Sequence, residues 1–236
     1  MLRTFGYIAY FWLLLIIGLI LFPPYLLLRL LRLRRLWRPY LIAVAGAWGR
    51  HMLYVAGARV EVTGLENLPG HDRICFVSNH QSYLDILLIT GYIPKTIGYI
   101  TKKELGRLPV FNLWMKASGC IFIDRRDVRQ SLGALERGVE NIRRGWPMLI
   151  FPEGTRSRGP GMGAFLPGSL KMAQRAGATI VPLTVNGTYR MFEENRRIQS
   201  GCISLRIHPP LEAAEFQDRK RSELADMLSK IIAPAP

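Results

Sequence analysis

From Arg59 onward the chain repeats one grammar: a short apolar run, a polar cluster, then a segment of helical spacing. Ile74-Cys75-Phe76-Val77 leads into Asn79–Asp85, and Ile121-Phe122-Ile123 into Asp124-Arg125-Arg126. Leu149-Ile150-Phe151 leads into Pro152–Ser157, and Val181–Val185 into Asn186-Gly187. Apolar runs this short, punctuated by Gly, Pro and Asn, read as buried strands. They fall at 59–63, 73–78, 96–101, 120–123, 148–151, 179–185 and 203–207. Helical segments stand between or after them: one directly after Asp85, then 105–118 with a break at Leu108-Pro109, 131–144, 169–176 and 215–232. The 131–144 segment sets Leu132, Leu135, Val139 and Ile142 on one face. Strands alternating with helices predict an α/β domain, a mostly parallel or mixed sheet flanked by helices. The turns after the strands then converge on one rim, where ligand sites form.

The first fifty residues follow another rule. They contain no acidic residue, and Phe5 to Phe22 is apolar apart from glycines and tyrosines. Pro23-Pro24 is expected to stop a helix there. A second apolar run, Tyr25 to Leu31, is followed and interleaved by Arg29, Arg32, Arg34, Arg35 and Arg38, and a third, weaker one covers Tyr40 to Trp48. Spanning a bilayer takes about 20 apolar residues. Two pictures fit: one helix crosses with its arginines on the cytoplasmic side, or two helices bent at the prolines dip into one leaflet from that side, with arginines reaching the headgroups. A cleaved signal peptide does not fit, because a dense arginine cluster follows and no small-residue cleavage site does. Residues 1–50 are thus expected to be a membrane-anchoring helical segment, and 51–236 a domain at the cytoplasmic face of a membrane, the inner membrane in a bacterium.

The net charge of +15 calls for an anionic partner. Because the arginines cluster beside apolar helices, phospholipid headgroups suit them better than nucleic acid. Cys75, Cys120 and Cys202 lie far apart and read as thiols in a reducing compartment. His51, His71 and His208 show no metal-ligand spacing, so no metal is expected.

The chemistry concentrates at His80 and Asp85, where a strand hands over to a helix. A neutral imidazole is a usable base near pH 7. A carboxylate five residues on can fold back and hold its other ring nitrogen. The pair suits deprotonation of an alcohol. Arg125 and Arg156, after strands whose turns converge on that rim, suit bidentate binding of a phosphate. The Gly154-Thr155 turn is expected to offer N–H donors to an oxyanion. Together these are the parts needed for acyl transfer to a phosphorylated alcohol.

Asn79–Asp85 resembles the NHxSxxD motif of the glycerolipid acyltransferases. Gly119–Arg125, Phe151–Ser157 and Val181-Pro182-Leu183 resemble their second, third and fourth motifs, and Thr101–Leu105 the lysine-containing stretch between the first two. The order is the family's. The resemblance implies transfer of an acyl chain from acyl-CoA or acyl carrier protein, as co-substrate, to the sn-2 hydroxyl of lysophosphatidic acid, giving phosphatidic acid. It implies no further cofactor. It makes His80 the base and Asp85 its orienting partner. It gives the acceptor phosphate to Arg125 and Arg156 with help from Lys102, and glycerol placement to Glu153 and Gly154, beside Thr155. Asn79, Ser82, Pro152 and Pro182 support the motifs. Attack is direct, so neither Ser82 nor a cysteine is a nucleophile.

Competing signals are weaker. Gly154 to Gly159 has the glycine spacing of a phosphate loop, but Pro160 stands where its lysine belongs. Gly159–Ala164 fits GxGxxA without a strand directly before it, and reads as a loop over the site. No GxSxG elbow occurs. Asn186-Gly187-Thr188 is a formal glycosylation sequon, without meaning in the cytoplasm. The rival readings are the same chemistry on glycerol 3-phosphate or another lysophospholipid, and a basic lipid- or nucleic-acid-binding protein without chemistry. The latter gives no reason for His80 and Asp85.

Overall fold

The computed structural model describes residues 1–124 and 127–234. Two long helices lead, α1 (Leu2–Leu30) and α2 (Arg34–Val55). Then come β1 (Ala58–Thr63), β2 (Ile74–Ser78), α3 (Leu84–Tyr92), β3 (Gly98–Lys102), α4 (Phe111–Ala117), β4 (Ile121–Ile123), α5 (Val128–Arg143), β5 (Met148–Ile150), α6 (Lys171–Ala176) and β6 (Thr179–Asn186). A one-turn α7 (Thr188–Met191), β7 (Gly201–Ile207), α8 (Ala213–Phe216) and α9 (Arg221–Ile232) finish the chain. The seven strands form one sheet in the order β1-β7-β6-β2-β5-β3-β4. Only β6 and β7 pair antiparallel, so the sheet is mixed and mostly parallel, as expected.

β2 is the central strand, and all five of its residues are buried. Burial on both faces is what a covered parallel strand requires. Phe76 packs with Leu88 of α3 and Leu53 of α2 on one side. Cys75 and Val77 pack with Ile142 of α5, Met172 of α6 and Leu228 of α9 on the other. Pro182 lies inside β6, where a missing N–H would normally break a ladder. Its carbonyl accepts from His208 N at 3.0 Å, just past the end of β7.

Three expectations change. First, α1 runs straight through Pro23 and Pro24. The prolines take the ladder donors from Leu19 and Ile20, and the helix on either side is held from outside: Trp114 Nε1 donates to Gly18 O at 3.0 Å and Tyr40 Oη of α2 to Leu21 O at 2.8 Å. The turn comes instead at Leu31–Leu33, where Arg32 takes φ 56°. Second, Leu132 is 53% exposed, at the margin of the buried stripe that Ala134, Val139 and Ile142 form on α5. The helix starts earlier than its apolar spacing, because Asp127 caps the N–H groups of Arg129 and Gln130. Third, the C-terminal helix is split between Phe216 and Arg221.

α2 carries on past residue 50 to Val55 and crosses α3 closely. A Cβ on Gly49 would stand 2.7 Å from Leu87 O and 3.0 Å from Gly91 Cα, so only glycine permits the contact. α1 is long and apolar enough to cross a membrane. Its outer face leaves Phe5, Ile8, Leu13, Ile16 and Ile20 exposed. The arginines nearby divide: Arg38 bonds Asp72 at 2.8 Å and Arg29 bonds Tyr25 Oη at 2.7 Å, whereas Arg32, Arg34 and Arg35 are exposed.

Candidate active site

The order of the strands sets β5 and β6 on either side of β2, so three polar turns meet at one rim. Asn79 locks two of them together. Its amide donates to Val185 O and accepts from Val185 N, both at 2.8 Å, and it is buried. His80 follows and is clamped through its backbone by the turn after β5. Its N–H donates to Glu153 Oε1 at 2.7 Å, and its carbonyl accepts from Ser157 N at 2.8 Å. The imidazole stacks on Phe151, centroids 3.8 Å apart and planes 11° apart.

His80 Nδ1 lies 2.7 Å from Asp85 Oδ2. Asp85 is wholly buried in the first turn of α3, where the helix dipole and free N–H groups favour a carboxylate. Gln81 N and Ser82 N donate to the same oxygen at 2.7 and 2.9 Å. Its other oxygen accepts from Thr188 Oγ1 at 2.5 Å. With Nδ1 spoken for, Nε2 has no hydrogen bond among the described residues and is the nitrogen available to a substrate proton. Ser82 is fully buried and its hydroxyl accepts from Leu84 N at 3.1 Å, which ties it to the start of α3 and withdraws it from any nucleophilic role.

Glu153 spends both oxygens on backbone, Oε1 on His80 and Oε2 on Gly163 N at 2.6 Å. Burial raises its pKa, opposed by those two bonds and by His80. It therefore builds the rim and closes the loop of residues 154–163, with one backbone donor on each oxygen. Pro152, also buried, accepts from Leu166 N at 2.9 Å through its carbonyl and fixes the far end of that loop. Gly154 takes φ 72°, a conformation suited to glycine, and its N–H donates to Phe151 O at 3.0 Å. That N–H is committed to the turn and is not the expected oxyanion donor. Thr155 is exposed, and its N–H has no hydrogen bond among the described residues.

Arg156 lies with its guanidinium carbon 3.4 Å from the Tyr83 ring centroid and Nη1 2.8 Å from Glu193 Oε1. It shares the first motif's end of the rim through Tyr83. Lys102 is exposed at the end of β3, in register with Ile123. Its neighbour Lys103 pairs with Asp124 at 2.5 Å. The end of β4 stands three strands from β2, about 14 Å at the usual strand spacing. Arg125 lies outside the described residues. Among those residues no group of His, Cys, Asp and Glu could hold a metal ion.

Thr188, Glu193, Tyr83 and Phe151 are the rim residues that sequence reasoning passed over. Thr188 was visible only as part of a sequon. Its hydroxyl after the Asn186-Gly187 turn was the signal available.

Known proteins share this arrangement. The family model described as Acyltransferase matches residues 59–186, which hold the turns after β2 and β5 and end at Asn186. A 1-acyl-sn-glycerol-3-phosphate acyltransferase of Borreliella burgdorferi is 30% identical over 177 residues, 75% of this chain and 71% of that one. A probable 1-acyl-sn-glycerol-3-phosphate acyltransferase of Mycoplasma pneumoniae is 38% identical over 156 residues, 64% of this chain and 58% of that one. Against a third relative, from Brassica napus, the chain spans only 56% of the length. The crystal structure of the LPA acyltransferase PlsC from Thermotoga maritima superimposes with a TM-score of 0.85 at 25% identity, covering 98% of this chain and 93% of that one. Sheet, leading helices and rim all lie within these matches, and the chain belongs to the acyltransferase family.

Proposed function

We propose that this protein acylates the sn-2 hydroxyl of lysophosphatidic acid, drawing on acyl-CoA or acyl carrier protein and releasing phosphatidic acid. The observation that carries the reading is His80, fixed at Nδ1 by a buried carboxylate and open at Nε2. Nε2 takes the hydroxyl proton as the oxygen attacks the thioester carbonyl. The new C–O bond forms, the C–S bond breaks, and the thiolate leaves with the proton that His80 returns. Asp85 holds the ring and stabilises the transient imidazolium. Arg156 grips the acceptor phosphate, and the family resemblance assigns Arg125 and Lys102 to the same anion. No cofactor enters the scheme, and nucleic acid has no part in it.

We place the domain on the cytoplasmic side of a membrane, with α1 lying in one leaflet. Two observations support this. Ile198 N bonds Thr4 Oγ1 at 3.0 Å, and Tyr25 is buried against the domain near the other end of α1. The helix therefore follows the protein along its length, and its apolar outer face is parallel to that surface. Acceptor and product tails then reach the bilayer sideways.

The test is direct. Purified protein in detergent receives lysophosphatidic acid and a labelled thioester, each donor in turn. His80→Ala is expected to cut turnover roughly a hundredfold to ten-thousandfold. Equal turnover by both proteins ends the base assignment. Glycerol 3-phosphate and larger-headgroup lysophospholipids in the same assay separate the acceptor alternatives.

A further inference from the structure

Two glutamates follow α7, and they behave oppositely. Glu194 is exposed, as a charge on a turn should be, whereas the Glu193 side chain is only 4% exposed. A carboxylate taken out of water is costly unless it is paired, so its partners show what the burial serves. Both are on Oε1: Arg156 Nη1 at 2.8 Å and the backbone N–H of Tyr83 at 3.0 Å. Oε2 is buried with no hydrogen-bond partner.

The same oxygen thus fixes the guanidinium and the residue on whose ring that guanidinium lies. Arg156 is held at one edge by Glu193 and on one face by Tyr83. Its Nε and Nη2 carry no hydrogen bond among the described residues. Those two N–H groups form the edge that takes an anion in parallel, bidentate fashion. An arginine already fixed in this way loses little rotamer freedom when an anion arrives.

We infer that Glu193 is the positioning residue of Arg156, holding its guanidinium so that the Nε–Nη2 edge meets the phosphate of the acceptor. This rests on the reading of Arg156 as a phosphate ligand. Glu193 itself touches no substrate, and its effect passes through Arg156.

Steady-state kinetics of the full chain in detergent, varying lysophosphatidic acid and the thioester separately, test the idea. Glu193→Ala is expected to raise the acceptor KM about tenfold, while the thioester KM and kcat at saturating acceptor stay within about twofold. Glu193→Gln keeps an oxygen for both donors. It is the variant to read if the alanine protein fails to fold, and its acceptor KM is expected to rise about threefold. Combined with Arg156→Ala, Glu193→Gln is expected to add no further rise. Multiplying effects in the double variant, or a loss of kcat with the acceptor KM unmoved, overturn the positioning role. If Arg156→Ala leaves the acceptor KM unchanged, the phosphate reading of Arg156 falls. If Arg156→Ala raises it and both Glu193 variants do not, only the positioning role falls.

Discussion

Asp85 holds four donors on two oxygens and meets no water. Three of those donors come from its own neighbourhood, so a hydroxyl from across the sheet is what fills the second oxygen. Thr188→Val keeps the volume and removes that donor, leaving a buried carboxylate oxygen short of a partner. Such a loss costs about 1–3 kcal/mol. Part of it is expected in catalysis, because a carboxylate free to turn no longer aims the imidazole. We expect kcat to fall about tenfold with the acceptor KM unchanged, and Thr188→Ser to restore most of it. Kinetics of the three proteins beside their melting curves check this, and an unchanged kcat in the valine variant refutes it. The contrast with His80 explains what could be read from sequence. His80 and Asp85 are five residues apart on one helix start, so their contact follows from local geometry. Thr188 stands 103 residues from Asp85, and Glu193 stands 110 from Tyr83 and 37 from Arg156, so only the placing of β5 and β6 beside β2 brings them in.

The elements obey their sequence where packing and propensity agree, and depart where a neighbour intervenes. Every expected strand is present within a few residues: β2, β5 and β6 are apolar runs buried on both faces, which leaves the chain few alternatives, and the edge strand β1 alternates in burial. The doubled proline misled the reading of α1, since the contacts that hold this helix on either side of the prolines come from Trp114, distant in sequence, and from Tyr40 on the next helix. Glycines give the same lesson in a form that can be measured. Gly49 and Gly133 both sit inside helices, and local propensity treats them alike. Their surroundings differ: a Cβ on Gly49 meets the backbone of α3, and one on Gly133 meets nothing within 4 Å. Gly49→Ala is therefore expected to destabilise by about 1–3 kcal/mol through overpacking. Gly133→Ala is expected to stabilise by about 0.4–1 kcal/mol through the unfolded chain. Denaturant titrations of the two variants, giving shifts of opposite sign, decide it. Shifts of the same sign would mean that α2 and α3 part easily.

At the scale of the whole molecule, the membrane placement proposed above divides its work between an excess of positive charge and an uncovered apolar helix. The two forces carry different signatures. Attraction of exposed arginines to anionic headgroups is worth about 1 kcal/mol each and is screened by salt. Apolar burial is insensitive to screening, and a carboxylate pushed into hydrocarbon costs about 2.5–3.5 kcal/mol. Ile16 and Ile20 lie one turn apart on the outer face of α1 and are 60% and 70% exposed. Arg34 and Arg35 are exposed at the start of α2. Cosedimentation with vesicles containing anionic lipid separates the contributions. Arg34→Gln with Arg35→Gln is expected to weaken binding about thirtyfold in low salt, and hardly at all in high salt. Ile16→Asp with Ile20→Asp is expected to weaken it more than tenfold at either salt, since the face has been made polar. With Thr4 and Tyr25 both held to the domain, α1 cannot stand upright without drawing the sheet into the bilayer. The same aspartates must therefore also loosen binding to neutral vesicles, where no headgroup charge can compensate. Full binding of the double aspartate variant would mean that this face is covered by something other than lipid, and the in-plane placement of α1 would fail with it.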